Sequence, residues 1–301
     1  MELRQIRYFI EVANREHMTD AANALHVAQS AVSRQIVNLE EELGVDLFIR
    51  EGRNLKLTPI GRTFLERITH AVNVIDGATQ EVSEYLEPEK GTVRIAYPIS
   101  LAAHTLPRAI SSFRMRYPDA KFQLMQRLNK DLITGIVKGD FNMAMIGPLP
   151  KDDRRIQTRA LFTEKVVALL PRHHRLADRE DIRLRDLKDE PFVLLPEPFE
   201  FRQIVLDACK EVGFTPYIAF EGDDIDALKG LVAAGLGVTL MPEVTLMDSL
   251  FLSTVKKPIT DPNVTRTVGV LTPVDRQLLP TEKLFYQFII EFFDRVSEFR
   301  E

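Results

Sequence analysis

His26-Val27-Ala28-Gln29-Ser30-Ala31-Val32-Ser33-Arg34-Gln35-Ile36 carries an apolar and a polar pattern on one helix. Val32, Ile36, Leu39 and Leu43 recur at helical spacing and face a core, while Ser30, Ser33, Arg34 and Asn38 fall on the opposite side. That is how a recognition helix entering a DNA major groove is built. An ordinary amphipathic surface helix would show the same residues, so the flanking segments have to choose between the two.

On the N-terminal side, residues 2–15 form a first helix with Leu3, Ile6, Phe9, Ile10 and Ala13 inward. Thr19 is an N-cap for a short second helix, Asp20 to Leu25, whose Ala21 and Ala22 permit close packing. A tight turn at His26–Val27 leads into the third helix, which stops at Gly44. On the C-terminal side, Leu47-Phe48-Ile49 and Leu55-Lys56-Leu57 read as a hairpin around Glu51-Gly52-Arg53-Asn54, with Leu55 and Leu57 inward. A hairpin just after such a helix is a wing. Its Arg50, Arg53 and Lys56 would meet phosphate or the minor groove; the alternative is a solvated hairpin tip.

Thr58-Pro59 is an N-cap followed by proline at the first helical position. Phe64, Ile68, Ala71, Ile75, Ala78, Val82 and Tyr85 then alternate steps of four and three, with Leu65, Val72 and Leu86 beside them. A sustained seven-residue seam on one long helix predicts dimerisation, against the plainer reading of a helix packed on its own domain. Glu87 to Gly91 is a linker.

The remaining residues alternate strands and helices. Thr92–Tyr97, Lys121–Gln126, Asn142–Ile146, Lys165–Leu170, Phe192–Leu195, Tyr217–Phe220, Val238–Met241 and Thr267–Leu271 read as strands. Leu101–Tyr117, Leu132–Lys138, Phe201–Val212, Ile225–Ala234 and Thr281–Arg295 read as helices. Repeated βαβ units imply parallel sheet covered by helices. The expected layout is a DNA-binding domain over residues 1–58, a linker helix over 59–90 and an effector domain over 91–301, with subdomain I at 91–162 and 267–301 and subdomain II at 163–266.

Ligands bind open α/β sheets at the carboxyl ends of strands. Ser100, after the first strand, would join the next helix's free N–H groups in holding an anion. Gln126 to Lys130, Gly147-Pro148, Pro196–Arg202 and Glu221–Ile225 are the other strand-end loops, and Arg202 suits a carboxylate through two parallel hydrogen bonds. Its alternative is a surface salt bridge, and the same holds for Arg127 and Lys130.

With 45% hydrophobic and 28% charged residues the chain is globular and not disordered. No apolar run suits a membrane span, the N-terminus lacks a signal-peptide pattern, and one cysteine, Cys209, forbids an intrachain disulfide. Cytoplasm is the default compartment. A net charge of −5, with eight basic against nine acidic residues over positions 1–62, argues weakly against nucleic acid. Locally, Arg50, Arg53, Lys56 and Arg62 cluster with only Glu51 among them, and phosphates respond to the local field. No nucleophile elbow, phosphate-binding glycine loop or metal-spaced histidine pair appears, so no enzyme activity, cofactor or metal is expected. Asp223, Asp224 and Asp226 form one isolated acidic cluster.

Taken together, Leu3-Arg4-Gln5-Ile6-Arg7-Tyr8-Phe9, Ala21-Ala22, Gln29 to Ile36, Leu39-Glu40-Glu41-Glu42-Leu43-Gly44, Leu47-Phe48 and Leu57-Thr58-Pro59-Ile60-Gly61 resemble the LysR-type transcriptional regulators, and Gly230 to Val238 resembles their effector domain. The resemblance implies an α/β chain with an N-terminal all-α winged helix-turn-helix, a long dimerising linker helix, and a periplasmic-binding-protein-like effector domain of two α/β subdomains. It implies a homodimer assembling to a homotetramer on double-stranded promoter DNA, an RNA polymerase partner and a small-molecule effector. By position, it puts DNA contacts on Gln29, Ser30, Ser33, Arg34, Arg50 and Arg53, and effector contacts near Ser100, Asn129, Phe199, Arg202 and Ile225. Ala28 departs from the pattern, standing where a Ser or Thr often caps the recognition helix, as does Gln126-Arg127-Leu128-Asn129 in place of a Glu-Gly-x-Ser/Thr run.

A narrower resemblance is to the family's regulators of glutamate synthase genes in Gram-positive bacteria. It rests on Arg15-Glu16-His17, His26-Val27-Ala28-Gln29-Ser30, Arg50-Glu51-Gly52-Arg53-Asn54, Phe162-Thr163-Glu164-Lys165, Asp226 to Gly230 and Arg266-Thr267-Val268-Gly269. This implies an activator of nitrogen and glutamate metabolism genes with 2-oxoglutarate or glutamate as effector, a dicarboxylate that Arg202 and Lys130 would suit. The competing readings are a regulator of another metabolic operon and a small-molecule carrier without DNA binding.

Overall fold

A computed structural model describes residues 1–51, 54–150, 153–247 and 250–298, with the backbone alone at 50, 51, 54, 83 and 296–298. The chain forms two compact units, Met1–Val82 and Ser83–Glu301.

The first unit contains α1 (Leu3–Arg15), α2 (Met18–Ala24), α3 (Gln29–Leu43), β1 (Phe48–Glu51), β2 (Asn54–Leu57) and most of α4 (Pro59–Leu86). Phe9, Val12, Ala21, Ala22, Val32, Ile36, Leu39 and Leu47 make its core. The Phe9 ring meets Phe48 at 5.3 Å and Phe64 at 5.2 Å, at the tilted and edge-on angles aromatic quadrupoles favour. The expected inner face of α1 is off by part of a turn: Leu3 is exposed and Ile10 half-buried, while Tyr8 and Val12 are buried. α2 begins at Met18 after His17, so Thr19 lies inside the helix and does not cap it.

α3 starts at Ala28 with no side-chain cap and ends at Gly44, whose φ of 69° is the left-handed terminator glycine accommodates without a Cβ clash. Glu40, from its last turns, accepts the N–H groups of Leu47 at 2.7 Å and Phe48 at 3.0 Å and so sets where the hairpin begins. The β1–β2 register pairs Phe48 with Leu57 and Ile49 with Lys56. Thr58 caps α4 as expected: its hydroxyl oxygen accepts the N–H of Gly61 at 2.9 Å and the hydroxyl donates to Asp46 O at 2.9 Å, a cap worth about 1 kcal/mol. At Gly61 a Cβ would lie 2.2 Å from the Leu47 carbonyl oxygen, so only glycine lets the helix start this close to the strand.

The second unit contains β3 (Thr92–Tyr97), α5 (Thr105–Arg116), β4 (Lys121–Gln126), α6 (Asn129–Lys138), β5 (Met143–Ile146), β6 (Ile156–Pro171), β7 (Ile182–Arg183), β8 (Pro191–Leu194), α7 (Glu200–Glu211), β9 (Tyr217–Glu221), α8 (Ile225–Ala233), β10 (Thr239–Pro242), β11 (Thr254–Asp261), β12 (Thr265–Pro273) and α9 (Pro280–Glu298). β3 pairs in parallel with β4 and β5, and β8 with β9. β11 also runs parallel to β7, but the pairings through β6 and β12 depart from the parallel sheet expected. β12 runs antiparallel to β5 and β6, and β10 and β11 run antiparallel to β6. The cause is β6, whose sixteen residues pair with β12 along the first part and with β10 and β11 along the second. It passes out of one lobe and into the other, and β12 returns beside it. One lobe's cores lie under α5 and α9 and under α6; the other gathers Val166 to Leu170, β8, α7 and α8.

Helix α5 starts at Thr105, four residues later than its sequence pattern suggests, because Ile99–Leu101 forms a separate 3-10 turn. At the far end of the lobe, Glu84 from the last turn of α4 is 3% exposed and accepts the N–H groups of Thr92 at 3.0 Å and Thr281 at 3.2 Å. Thr281 is the second residue of α9, and Leu279 before that helix has no side-chain acceptor to offer. Glu84 thus answers an open N–H that the helix itself leaves over.

Glu282, the third residue of α9, is fully buried and accepts from Leu279 N at 3.1 Å and from the Asn142 amide at 2.8 Å and 3.0 Å. Burial pushes its carboxyl up to about 7, against the Leu279 and Asn142 hydrogen bonds. Between the ordinary glutamate range and pH 7 the folded protein holds a proton the unfolded chain has released, so stability falls as pH rises through that window. In urea titrations from pH 4.5 to 7.5, Glu282→Gln is expected to flatten this slope; equal slopes for both proteins would place the proton elsewhere.

Candidate nucleic-acid interface and ligand cleft

α3 presents Gln29, Ser30, Arg34 and Asn38 to solvent and leaves Ser33 half-buried, while Val32, Ile36 and Leu39 hold the other face in the core. The polar residues therefore share one accessible helix surface on a rigid base. Lys56 is exposed on β2. Arg50 has its backbone in β1, paired with Leu55, while its side chain and the whole of Arg53 lie outside the described residues.

The seam of α4 divides. Phe64, Leu65 and Ile68 pack against the N-terminal core and Val72 is buried, so the first two positions expected to face a partner are engaged within their own unit. Ala71, Ile75, Ala78 and Val82 are exposed, Val82 to 74%, with Tyr85 and Leu86 at 81%. Arg7 pairs with Asp76, tying α1 to the helix midway.

Between the lobes of the second unit lies a cleft of about 660 Å³ of non-atom space, part of it open to solvent. Ser100, Asn129, Phe199, Arg202 and Ile225 all line it; Lys130 does not. Two helices start at its wall, α6 of ten residues and α7 of twelve, preceded by Leu128 and Phe199, which offer no side-chain cap. Their dipoles favour an anion, an effect that the first-turn carboxylates Asp131 and Glu200 partly offset. α8 differs, since Asp224 accepts the Ala227 N–H at 2.8 Å and Asp226 pairs with Lys229, so two of the three clustered aspartates have local partners. Among the described residues no group of three or more His, Cys, Asp or Glu is placed to hold a metal ion.

The cationic centre of the cleft is one the sequence pattern did not single out. Arg266 is 1% exposed and directly opposite Glu164 on the β6–β12 ladder. Its Nε donates to Glu164 Oε1 at 2.8 Å, Nη2 to the same oxygen, and Nη1 to Ser100 Oγ at 2.7 Å; the guanidinium lies 5.5 Å from the Phe201 ring centroid. Burial pulls Arg266 below its ordinary range, and Glu164 pulls it back. Ser100 therefore serves Arg266 and not the N-terminus of α5. Arg202 lines the cleft but is engaged, with Nη1 donating to Leu195 O at 2.7 Å and Glu221 Oε1 at 2.6 Å. The sequence signals for Arg266 were its place just before an apolar strand pattern, which is also how an edge residue looks, and its presence in the resemblance stretch Arg266-Thr267-Val268-Gly269.

A winged helix followed by a long helix and a two-lobed sensor defines a ligand-responsive DNA-binding architecture, and comparison with known proteins agrees. Residues 3–62 match the bacterial regulatory helix-turn-helix protein, lysR family, and residues 86–294 match the LysR substrate binding domain. The transcriptional dual regulator GltC of Bacillus subtilis (strain 168) is 50% identical over 300 residues, covering 100% of each chain. An uncharacterized HTH-type regulator of the same organism, YybE, is 32% identical over 97% of this chain and 99% of its own. The structure of full-length CbnR complexed with target DNA superposes with a TM-score of 0.79 over 97% of this chain and 100% of that one, at 23% identity, a likeness of fold. Full-length BenM gives 0.61 at 28% identity, over 100% and 98%. The chain belongs to the LysR family and is a DNA-binding transcriptional regulator. No described helix is long and apolar enough to cross a membrane.

Proposed function

We propose that this regulator controls genes of nitrogen and glutamate metabolism, acting as an activator when a small carboxylate, 2-oxoglutarate or glutamate, occupies the cleft. It works in the cytoplasm with RNA polymerase, carries no enzyme activity, and assembles as a homodimer and then a homotetramer. The 50% identity to GltC over the whole chain is the observation that carries the regulatory assignment. A cleft holding Arg266 and the uncapped starts of α6 and α7 favours an anionic effector. The exposed Ala71, Ile75, Ala78, Val82 and Tyr85 supply the dimer seam, and the division into residues 1–58, 59–90 and 91–301 takes α4 as the linker, its first turns packing into the N-terminal core.

Gln29, Ser30, Ser33, Arg34 and Asn38 read the promoter, with the wing on the phosphates. Arg34→Ala is expected to weaken promoter binding by about 1–3 kcal/mol, roughly ten- to hundredfold, and to relax base preference at one position of each half-site. Gel shift at fixed salt with promoter and scrambled DNA measures both; an unchanged promoter affinity would remove Arg34 from the interface.

A further inference from the structure

Resting on the reading of α3 as the helix that enters the major groove, we propose that Val37 is a further base-reading residue, taking the methyl group of a thymine beside the base pair that Arg34 contacts.

Among the described residues, the accessible side of α3 carries Gln29, Ser30, Arg34, Asn38 and Glu41, all polar or charged, with Val37 in their midst. Val37 is 44% exposed and takes no part in the core that Val32, Ile36 and Leu39 build. Leu43, the other exposed large apolar residue of the helix, shares the direction of Ile36 and Leu39 instead. At about 100° per residue, Val37 points about 40° from Ser33 on one side and about 60° from Arg34 on the other, inside the arc those two define. Its rise beyond Arg34 is about 4.5 Å, close to one base-pair step of about 3.4 Å. The part of the groove it reaches is therefore next to Arg34's.

Neither packing nor local preference accounts for valine here. A β-branched residue loses side-chain freedom on a helix and gains nothing in water. In the groove the same stiffness helps, because two methyl groups already fixed lose little rotamer entropy on contact. Valine has no hydrogen-bonding side-chain atom. Against the amino group of cytosine or the acceptors of guanine it strips water and returns nothing. The C5 methyl of thymine is the one apolar group that the major-groove base edges offer.

Replacing thymine by uracil deletes that methyl and keeps every hydrogen-bonding group of the base pair. The test is a gel shift of the full chain on promoter fragments with uracil placed at one thymine at a time. Wild type is expected to lose about three- to fivefold in affinity at one position of each half-site, the worth of a single buried methyl. Val37→Ala is expected to bind the thymine promoter about three- to tenfold less tightly and to show no further loss on uracil at that position, the non-additivity of a direct contact. Alanine at an exposed helical position favours the helix, so an unchanged melting temperature of the first unit checks that the variant folds. Equal uracil losses in wild type and Val37→Ala, or no loss at any position in wild type, overturn the thymine contact. An Arg34→Ala protein that binds the promoter as tightly as wild type overturns the groove reading of α3 beneath it.

Discussion

Arg266→Ala lowers the stability of the sensor by about 3–5 kcal/mol, the expected consequence of breaking a buried ion pair on one side only. Arg266 and Glu164 side chains are 1% and 4% exposed. Removing the guanidinium leaves a desolvated carboxylate on β6, strips Ser100 of its donor and opens a void against Phe201. The pair joins the two strands that cross between lobes, so the damage falls where neither lobe can repair it alone. Replacing both partners, Arg266→Met with Glu164→Leu, is expected to recover most of the loss, because the charge left behind and not the missing pair carries the cost. Urea unfolding of the three proteins decides this: an equal deficit in single and double variants would show that packing, not charge, is what Arg266 supplies.

Phe9→Ala is expected to cost the N-terminal unit about 3–5 kcal/mol, a large part of what a small domain has. Phe9 is fully buried and holds Phe48 of the hairpin and Phe64 of α4 against α1 through its ring. Its loss removes the base on which α3 and the wing are set. The two compact units have separate cores, so the sensor's melting transition should stay in place while the first unit's falls and promoter binding disappears at moderate temperature. Calorimetric melting beside gel shift reads both. A single, jointly lowered transition would mean that the units unfold together.

Much of the N-terminal unit was legible because its signals are local. The cap at Thr58, the terminator at Gly44 and the alternation of Leu55 and Leu57 act over three or four residues and leave little choice. The misplaced start of α2 shows the limit: His17 and Thr19 are two positions apart, and packing of Ala21 and Ala22 settled the frame. In the sensor, the five short helices and the parallel strands were visible as periodic runs. β11 was not, since Lys256, Lys257 and Pro258 disguise a strand that pairs with both β6 and β7.

Chain order and local pattern determined that this protein carries a winged helix, a long seamed helix and an α/β sensor, and the family resemblance, read by position, grouped Ser100, Asn129, Phe199, Arg202 and Ile225, which line one cleft. Tertiary structure decided which charge rules that place. Arg202 takes its alternative reading, a salt bridge to Glu221, while Arg266, visible only within a stretch of family resemblance, is buried opposite Glu164 across 102 positions of chain. Local sequence sets backbone preference, but the partner of a buried charge is set by strands that meet only when the chain has returned between its lobes.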